Sequence, residues 1–216
     1  ILKIFETASK EEIENELKLI SSCADLKIPK VVSEIFMIQN KYALLYEKSK
    51  GTSPKEISKD NICSIAIFLK EFHSITKGKT STNPKLFLKD ELYKLIKKTN
   101  HQSFIELFNK INIELKNDGI IHGDLFPDNA TFFDKKLSCV FDFIQSCNGD
   151  FLFDLAVIAL SWCNTKEEII YLLESYQTDT TYECFLPYLK YAGLYYCVTR
   201  FLEKKDFSDL WNKITF

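Results

Sequence analysis

Residues 120–143 constrain the fold more than any other part of the chain, because short apolar runs alternate there with turn residues. The runs predict β-strands at residues 120–121, 130–133 and 137–143. Residues 134–136, Asp-Lys-Lys, predict a turn that joins the last two strands as a hairpin. Such a hairpin would bring Asp142 back to the vicinity of Asn129. The segment is therefore predicted to be a small β insert.

Helical periodicity dominates the chain on both sides of this insert. Apolar residues recur at intervals of three and four positions, which is the spacing of one helix face. The pattern predicts helices over residues 62–73, 86–97, 104–117, 153–163, 166–176, 183–203 and 206–213. Only 6 Gly and 5 Pro occur among the 216 residues, which disfavours long disordered linkers.

The N-terminal part of the chain has a different pattern, with more strand than helix. Residues 1–5 predict a strand, and residues 31–38 and 42–46 predict a β-hairpin. Between them, residues 9–24 predict a helix with Ser9 as its N-cap, followed by the acidic residues that suit the positive end of a helix.

A polar stretch at residues 48–54 contains Gly and Pro and separates the two patterns, so it is the best candidate for a hinge. The order of elements predicts an α+β fold with two lobes. We assign residues 1–47 to a partial N-terminal lobe and residues 55–216 to a helical C-terminal lobe. The sequence shows neither an internal repeat nor a low-complexity segment.

Charge and cysteine content limit the possible partners and surroundings. The formal net charge of −2 makes no case for nucleic acid or an anionic membrane as a partner. Seven cysteines without a CxxC pair predict reduced, mostly buried thiols and a cytoplasmic location. No apolar run in the sequence is long enough to span a bilayer.

Asp124, Asn129 and Asp142 stand at the ends of the short predicted strands, and their types and order fit one chemistry. Phosphoryl transfer requires a carboxylate that orients the attacking hydroxyl, and oxygen ligands that hold Mg²⁺ on the nucleotide phosphates. The catalytic loops of kinases place an Asn five residues after the Asp, as Asn129 follows Asp124. We therefore predict that Asp124 accepts the hydroxyl proton, and that Asn129 and Asp142 bind the metal.

Each of these three residues alone is also an ordinary turn residue. Their occurrence together in this order, with His122 two positions before Asp124, favours the catalytic interpretation. The carboxylate and amide that are predicted to hold the metal lie at the two ends of the predicted hairpin, which explains the gap between them in the sequence.

The segment His-Gly-Asp-Leu-Phe-Pro-Asp-Asn at 122–129 resembles the catalytic loop of the aminoglycoside phosphotransferase and choline kinase superfamily. The surrounding residues resemble the bacterial homoserine kinases of that superfamily, through Phe-Asp-Phe at 141–143, Phe-Asp-Leu-Ala at 153–156 and Ser-Trp-Cys at 161–163. The resemblance covers the whole chain loosely and residues 120–163 closely. The sequence departs from the pattern of that group at Gly123, Pro127 and the pair Gln145-Ser146, and the last difference bears on substrate preference.

The resemblance implies a protein-kinase-like fold, with a small β-rich N-terminal lobe, truncated here, that binds nucleotide. It implies that Lys3 touches the nucleotide phosphates, although Lys3 could equally be a strand residue that faces solvent. Glu16 best matches the helix glutamate that pairs with this lysine, and Glu12 and Glu14 are alternatives. The linker whose backbone contacts adenine is matched by Tyr46, Glu47 and Lys48.

In the larger helical lobe, the resemblance implies supporting roles for four residues. His122 matches an architectural histidine of the catalytic loop, and His73 matches a structural histidine. Asp154 matches a residue that braces the catalytic loop, although it could instead cap a helix. Arg200 matches a recurrent arginine of the last long helix, where it meets either a substrate carboxylate or a structural ion-pair partner.

The function that the resemblance implies is transfer of the γ-phosphoryl group of ATP, with Mg²⁺, to the hydroxyl of a small molecule. Homoserine is the favoured acceptor, which would place the product, O-phosphohomoserine, in threonine biosynthesis. Choline-, ethanolamine- and aminoglycoside-type kinases are alternatives, as is a catalytically inactive kinase-like binding module. A protein kinase is disfavoured because no activation-segment pattern follows Asp142. The oligomeric state is left open.

Kinase-like folds carry a Gly-rich hairpin over the phosphates before the lysine strand. No such hairpin precedes Lys3, and no GxGxxG occurs in the sequence. We expect the chain to be a piece of a longer protein rather than a kinase without this hairpin. For the residues as given, we expect weak nucleotide binding and little activity.

Overall fold

The computed structural model of the protein describes residues 1–83 and 87–215. Three strands near the N-terminus form an antiparallel sheet in the order β1-β3-β2. These strands are β1 at Leu2–Ile4, β2 at Phe36–Ile38 and β3 at Lys41–Leu45. Gln39 and Asn40 join β2 to β3, and both have positive φ, as a two-residue turn requires when it matches the twist of the strands.

The predicted hairpin is confirmed for β2 and β3, which pair as antiparallel strands. Its first strand, predicted over residues 31–38, is shorter than predicted. Regular pairing in β2 begins only at Phe36, and Val31 contributes an isolated bridge to Tyr46. Between them, the Ser33 hydroxyl accepts the Leu45 N–H at 2.9 Å. A side chain therefore takes the place of a main-chain acceptor there, and the ladder is interrupted.

Helix α1 at Lys10–Ser22 forms as the sequence predicts, although it ends two residues early. Ser9 is its N-cap and forms a reciprocal capping box with Glu12, whose carboxylate accepts the Ser9 N–H at 2.7 Å. The buried face of α1 consists of Ile13, Leu19, Ile20 and one charged residue, Glu16. A carboxylate on the apolar face of a helix requires a polar partner, and this partner lies in the candidate site described below.

The C-terminal part is a body of seven helices in the described residues. These are α2 at Lys59–Thr76, α3 at Lys89–Thr99, α4 at Gln102–Lys110, α5 at Phe151–Trp162, α6 at Lys166–Tyr176, α7 at Tyr182–Leu202 and α8 at Ser208–Thr215. Helix α5 is buried on nearly every side, which explains its almost continuous apolar sequence. Within residues 1–83 and 87–215, no helix combines the length and apolarity needed to span a lipid bilayer.

Two helix predictions need comment. The predicted start of α3 at residue 86 lies outside the described residues. The prediction that a helix continues to residue 117 is wrong, because α4 ends at Lys110 and the chain then extends. Ile111 and Ile113 are buried on either side of an exposed residue, so the apolar period there is two and not 3.6.

Two pairs of short strands complete the body. Strand β4 at Gly119–Ile121 pairs with β7 at Cys147–Gly149, and β5 at Ala130–Phe133 pairs with β6 at Lys136–Val140. The predicted hairpin of β5 and β6 is confirmed, but β6 ends three residues earlier than predicted. Asp142 has φ 68° and turns the chain out of the strand direction into a short 3₁₀ helix. Strand β7 was not predicted, since Cys-Asn-Gly has no strand periodicity.

The two parts of the chain meet through the segment between β3 and α2. Thr52 and Phe132 exchange two main-chain hydrogen bonds of 3.2 and 2.9 Å, which ties this segment to β5. The Val140 N–H also donates to the Lys27 carbonyl at 2.8 Å. The α+β class is confirmed, while the domain limits at residues 47 and 55 stay a prediction.

Gly51 tests the contact between this segment and β5. A Cβ atom at Gly51 would lie 1.9 Å from the Phe132 carbonyl oxygen, whereas one at Gly78 would meet nothing within 4 Å. Both glycines have positive φ, 84° and 69°. Gly78→Ala should therefore cost only the backbone strain, roughly 1 kcal/mol in free energy of unfolding.

Gly51→Ala should cost the same strain and, in addition, about 1–3 kcal/mol for the steric clash. Urea unfolding of the two variants beside the wild-type protein measures the difference. Equal destabilisation by the two substitutions would show that the close approach of Gly51 to β5 is absent in solution.

Candidate active site

The loop after β4, residues 122–129, is held by the fully buried carboxylate of Asp154 on α5. Its Oδ1 accepts the Gly123 N–H and its Oδ2 accepts the His122 N–H, both at 2.8 Å. His73 Nε2 on α2 donates to the same Oδ2 at 2.9 Å. Burial alone would raise the pKa of Asp154, but the His73 hydrogen bond and charge, with the N–H donors, hold it below its usual value. Asp154 therefore braces this loop as an ionised carboxylate.

His122 connects the loop to the end of β6 and is not available as a base. Its Nδ1 accepts the Asp124 N–H at 3.2 Å, so Nδ1 carries no proton. Its Nε2 lies 3.2 Å from the Phe141 carbonyl, which can only accept, so Nε2 is the protonated nitrogen. Complete burial lowers the pKa of His122 and keeps the ring neutral. The ring thereby fixes the distance between Asp124 and the residue before Asp142.

Asp124 and Asn129 are brought together by their side chains. Asn129 Nδ2 donates to the Asp124 carbonyl at 2.7 Å and to its Oδ2 at 3.3 Å. Burial and the charges of Asp142 and Asp128 raise the pKa of Asp124 to about 7. The raised pKa reflects a carboxylate with few compensating donors, which makes it a stronger proton acceptor than an exposed aspartate.

Lys3, Glu16 and Asp142 form an ion-paired cluster between the sheet, α1 and the end of β6. Lys3 Nζ lies 3.1 Å from Glu16 Oε1 and 2.9 Å from Asp142 Oδ1. The same Glu16 oxygen accepts the Phe143 N–H at 3.1 Å. The other glutamates of α1 that were alternatives are engaged elsewhere, Glu12 in the capping box and Glu14 with Lys10 at 3.6 Å. The predicted roles in nucleotide binding stay predictions.

A cavity of about 400 Å³ opens beside this cluster. Its walls include Lys3, Glu16 and Asp142 on one side and Tyr46, Glu47 and Lys48 on another. The Glu47 carbonyl and the Lys48 N–H form no hydrogen bond with a described residue, so both are available to a planar base. Tyr46 is nearly buried, and burial raises the pKa of its hydroxyl well above the usual range.

Asp142 on the wall of this cavity and Asn129, whose carbonyl accepts the Phe141 N–H at 3.0 Å, are oxygen donors of the type that fits a magnesium nucleotide. In the described part of the chain, no group of three His, Cys, Asp or Glu side chains could hold a metal by itself. Mg²⁺ on a nucleotide requires only one or two protein oxygens, since phosphates and water supply the rest. Asp142 Oδ2 and Asn129 Oδ1 accept no hydrogen bond from any described residue, and Glu16 Oε2 is buried without a partner. The donor set therefore has free oxygens where the prediction requires them.

A second cavity, of about 560 Å³, has Asp124 on its wall. It is lined by residues of the 122–129 loop, by Gln145, and by residues at and just after the end of α7, namely Asp124, Phe126, Asp128, Gln145, Tyr195, Tyr196, Thr199, Arg200, Glu203, Lys205 and Asp206. The two cations differ in their environment. Lys205 forms an ion pair with Glu203 at 2.8 Å, whereas Arg200 has no carboxylate within salt-bridge distance among the described residues and lies over the Phe126 ring.

Tyr196 is a residue of this region that the sequence analysis missed. Its hydroxyl donates to the Gly123 carbonyl, and its ring packs edge-on against Phe126. It lies one helical turn before Arg200 on α7, so the i, i+4 spacing could have indicated that the two share a face. The predicted ion pair of Arg200 is not formed within residues 1–83 and 87–215.

Comparisons with known proteins place the chain among phosphotransferases. A model of the phosphotransferase enzyme family matches residues 1–188. The homoserine kinase of Azorhizobium caulinodans is 53% identical over 45 residues, which are 21% of this chain and only 14% of that protein. The match therefore spans a small part of the relative's length.

Two solved structures are similar over nearly the whole chain. The choline kinase LicA from Streptococcus pneumoniae has a TM-score of 0.65 and 18% identity, over 99% of this chain and 82% of that one. The GDP complex of wild-type aminoglycoside 2′-phosphotransferase-IIIa has a TM-score of 0.66 and 16% identity, over 94% of this chain and 80% of that one. At these identities they show the fold alone, and they confirm the predicted kinase-like fold.

The bracing by Asp154 predicts an unequal effect of two substitutions. Asp154→Asn replaces an acceptor of three hydrogen bonds by an amide, whose NH₂ group faces donors. It should lower the free energy of unfolding by about 3 kcal/mol. Tyr176→Phe removes one hydroxyl, which bonds the far nitrogen of His73 at 2.8 Å, and should cost about 1 kcal/mol. Chemical unfolding measures the free energy of unfolding of both variants. If Asp154→Asn is no less stable than Tyr176→Phe, the bracing role of Asp154 is contradicted.

Proposed function

The chain belongs to the phosphotransferase enzyme family, and on that premise we propose that it transfers the γ-phosphoryl group of ATP to the hydroxyl of a small molecule, with L-homoserine as the favoured acceptor. The observation that carries the proposal is that Asp142 lines the first cavity and Asp124 lines the second, while the charge of Asp142 acts on the Asp124 carboxylate. The first cavity has the ion-paired cluster of Lys3 on its wall, and the second has Arg200, which forms no ion pair with a described residue.

Asp124 acts on the acceptor hydroxyl in this proposal. Its carboxylate orients the hydroxyl and accepts its proton as the bond to phosphorus forms. Asn129 holds Asp124 through its side-chain amide, at 2.7 Å from the main-chain carbonyl, and His122 accepts the Asp124 N–H. These two side chains therefore fix the main chain of Asp124, and Asn129 also reaches its Oδ2 at 3.3 Å, which serves proximity and orientation.

Lys3, Asp142 and Asn129 serve the nucleotide. The Lys3 ammonium would contact the phosphates, and Glu16 keeps it in place at 3.1 Å. Asp142 and Asn129 would hold Mg²⁺ through their free oxygens. When bound, this ion would neutralise negative charge on the phosphates. The backbone of Glu47 and Lys48 would contact the adenine ring.

Arg200 supports an amino acid as the acceptor. A guanidinium without a carboxylate partner is a strong site for the α-carboxylate of homoserine, because a carboxylate matches its planar donors. Choline carries no carboxylate and is a cation, and aminoglycosides carry several positive charges. Arg200 offers nothing to either of these cations, although the carboxylates of Asp124, Asp128, Glu203 and Asp206 in the same cavity would attract them. The exposed Asp128 supplies a negative charge for the α-ammonium group.

The name of the matched relative, homoserine kinase, agrees with this choice of acceptor. The solved structures are named as a choline kinase and an aminoglycoside phosphotransferase, and these acceptors are the alternatives. The aromatic residues Phe126, Tyr195 and Tyr196 in the acceptor cavity favour choline as the second candidate, because aromatic faces attract quaternary ammonium groups.

A panel of acceptors tests the proposal. With the full-length protein, we expect phosphorylation of L-homoserine with Mg-ATP and much slower turnover of choline, ethanolamine and an aminoglycoside. Asp124→Asn should lower kcat by about a hundred- to ten-thousandfold, because it removes the proton acceptor. Asp142→Asn should mainly weaken the binding of Mg-ATP. Turnover of another acceptor alone would overturn homoserine, and Mg-ATP binding without any turnover would favour an inactive binding module.

Arg200 allows a test that is specific for the carboxylate. Arg200→Gln should raise KM for homoserine roughly 10- to 100-fold, the loss of one charge-assisted contact. The same substitution should leave KM for 3-amino-1-propanol, which lacks the carboxylate, nearly unchanged. Lys204→Gln removes an exposed cation outside the cavity and serves as the control. Equal losses with both acceptors would contradict the assignment of Arg200.

A further inference from the structure

We propose that Asn83 is a positioning residue, which holds α1 and its Glu16 carboxylate in register with the segment that carries Asp142. The coupling to α1 stands on geometry alone, and its consequence for Mg-ATP rests on the proposed function. Asn83 lies in the connection between α2 and α3, far in sequence from both of the elements that it joins.

The Asn83 side chain uses both ends of its amide. Asn15 Nδ2 on α1 donates to Asn83 Oδ1 at 2.9 Å. Asn83 Nδ2 donates to the Ser146 carbonyl at 3.0 Å. Ser146 follows directly on the 3₁₀ helix that begins after Asp142. We call the residues Asn15, Asn83 and Ser146 the Asn83 bridge.

The connection that carries Asn83 is itself anchored, so the bridge has a fixed base. Asn148 on β7, which is 5% exposed, accepts the Ser81 N–H at 2.8 Å and donates to the Lys79 carbonyl at 2.9 Å. The Ser81 hydroxyl in turn accepts the Asn83 N–H at 3.1 Å. A loop held by a buried amide at two points keeps the Asn83 side chain in place.

Apolar packing does not join α1 to residues 79–83 directly, because a cavity of about 360 Å³ lies between them. The hydrogen bond from Asn15 to Asn83 joins two walls of this cavity. The residue after Asn15 on α1, Glu16, makes a polar contact with the segment that carries Asp142, because its carboxylate accepts the Phe143 N–H at 3.1 Å. Without Asn83, the Glu16 carboxylate would provide the one polar contact between α1 and residues 142–146 among the described residues.

The alignment of Glu16 matters because one of its oxygens serves two donors. Oε1 accepts from both Lys3 and Phe143, while Oε2 is buried and has no partner in the described residues. A small rotation of α1 would break the ion pair between Glu16 and Lys3, and Asp142 would then be the one carboxylate that holds the Lys3 ammonium. We therefore infer that Asn83 acts on the nucleotide cavity through Glu16.

Hydrogen exchange tests the bridge without any ligand. In Asn83→Ala, amide exchange over Lys10–Ser22 should become faster by up to about tenfold, the factor that corresponds to one hydrogen bond. Exchange in Lys166–Tyr176 should not change. Thr82→Ala is the matched control, since this exposed hydroxyl bonds no described residue. Unchanged exchange in α1 of Asn83→Ala, or the same change in Thr82→Ala, would overturn the bridge.

Calorimetric titration with Mg-ATP tests the route through Glu16. Asn83→Ala should raise Kd by about three- to tenfold, and KM for the acceptor should stay the same. In a Glu16→Gln background, the further effect of Asn83→Ala should be under about twofold, because the group on which Asn83 acts is already changed. A full additional loss in that background would show that Asn83 acts by another route. The titrations use the full-length protein. Absence of Mg-ATP binding to its wild-type form would contradict the proposed function, and the exchange result alone would then decide the bridge.

Discussion

The Asp154 carboxylate is the interaction on which the candidate active site depends. It is completely buried on α5, and it collects two main-chain N–H groups of the catalytic loop and the His73 ring of α2. The His73 ring also stacks on Phe151 at 3.8 Å and bonds Tyr176 of α6. Three helices and the loop therefore share one polar centre inside an apolar core. A buried carboxylate without these donors would cost several kcal/mol, so the loop conformation and the helix packing must form together.

A second polar centre links the N-terminal sheet to the body. Glu16 lies on the otherwise apolar face of α1, and its carboxylate meets Lys3 from β1 and the Phe143 N–H from the body. Lys3 continues the chain of charges to Asp142. Burial raises the pKa of Glu16 while the charge of Lys3 lowers it, so the carboxylate depends on this cation for its ionised form. The three side chains come from distant parts of the sequence, and they form one wall of the first cavity.

Asp142 and Asp124 divide the site between two cavities of different character. The first is bounded by the sheet, the linker backbone and the Lys3 cluster, and the second by the catalytic loop and the end of α7. In the proposed function, phosphoryl transfer uses the residues near the boundary. The acceptor would be chosen by the outer wall of the second cavity, where Arg200 and the aromatic residues lie. Family membership therefore leaves the acceptor to be argued from these side chains.

The sequence by itself determined the class of fold and the motif that carries the chemistry. Helical periodicity predicted α5, α6 and α7 to within two residues, because each buries a face or its whole surface in one core. The hairpin of β5 and β6 was predicted because alternating apolar residues flank Asp134 and Lys135, which adopt the positive φ of a tight turn. The Asp, Asn and Asp pattern was visible since the spacing of a catalytic loop is local.

Only the tertiary structure decided which residues meet. Three glutamates of α1 were candidates for Lys3, and only Glu16 faces the core, which depends on how α1 packs and not on its sequence. Strand β7 was missed because its partner β4 lies 26 residues earlier and its own residues have no strand pattern. The extended stretch after α4 was not predicted, because a period of two over so few residues is a weak signal beside helical propensity. Its conformation is decided by the packing of the buried Ile111 and Ile113. Among the described residues, Arg200 has no ion-pair partner, and Asn83 joins α1 to Ser146. Both outcomes depend on contacts between segments that are far apart in sequence, and local sequence carries no record of such contacts.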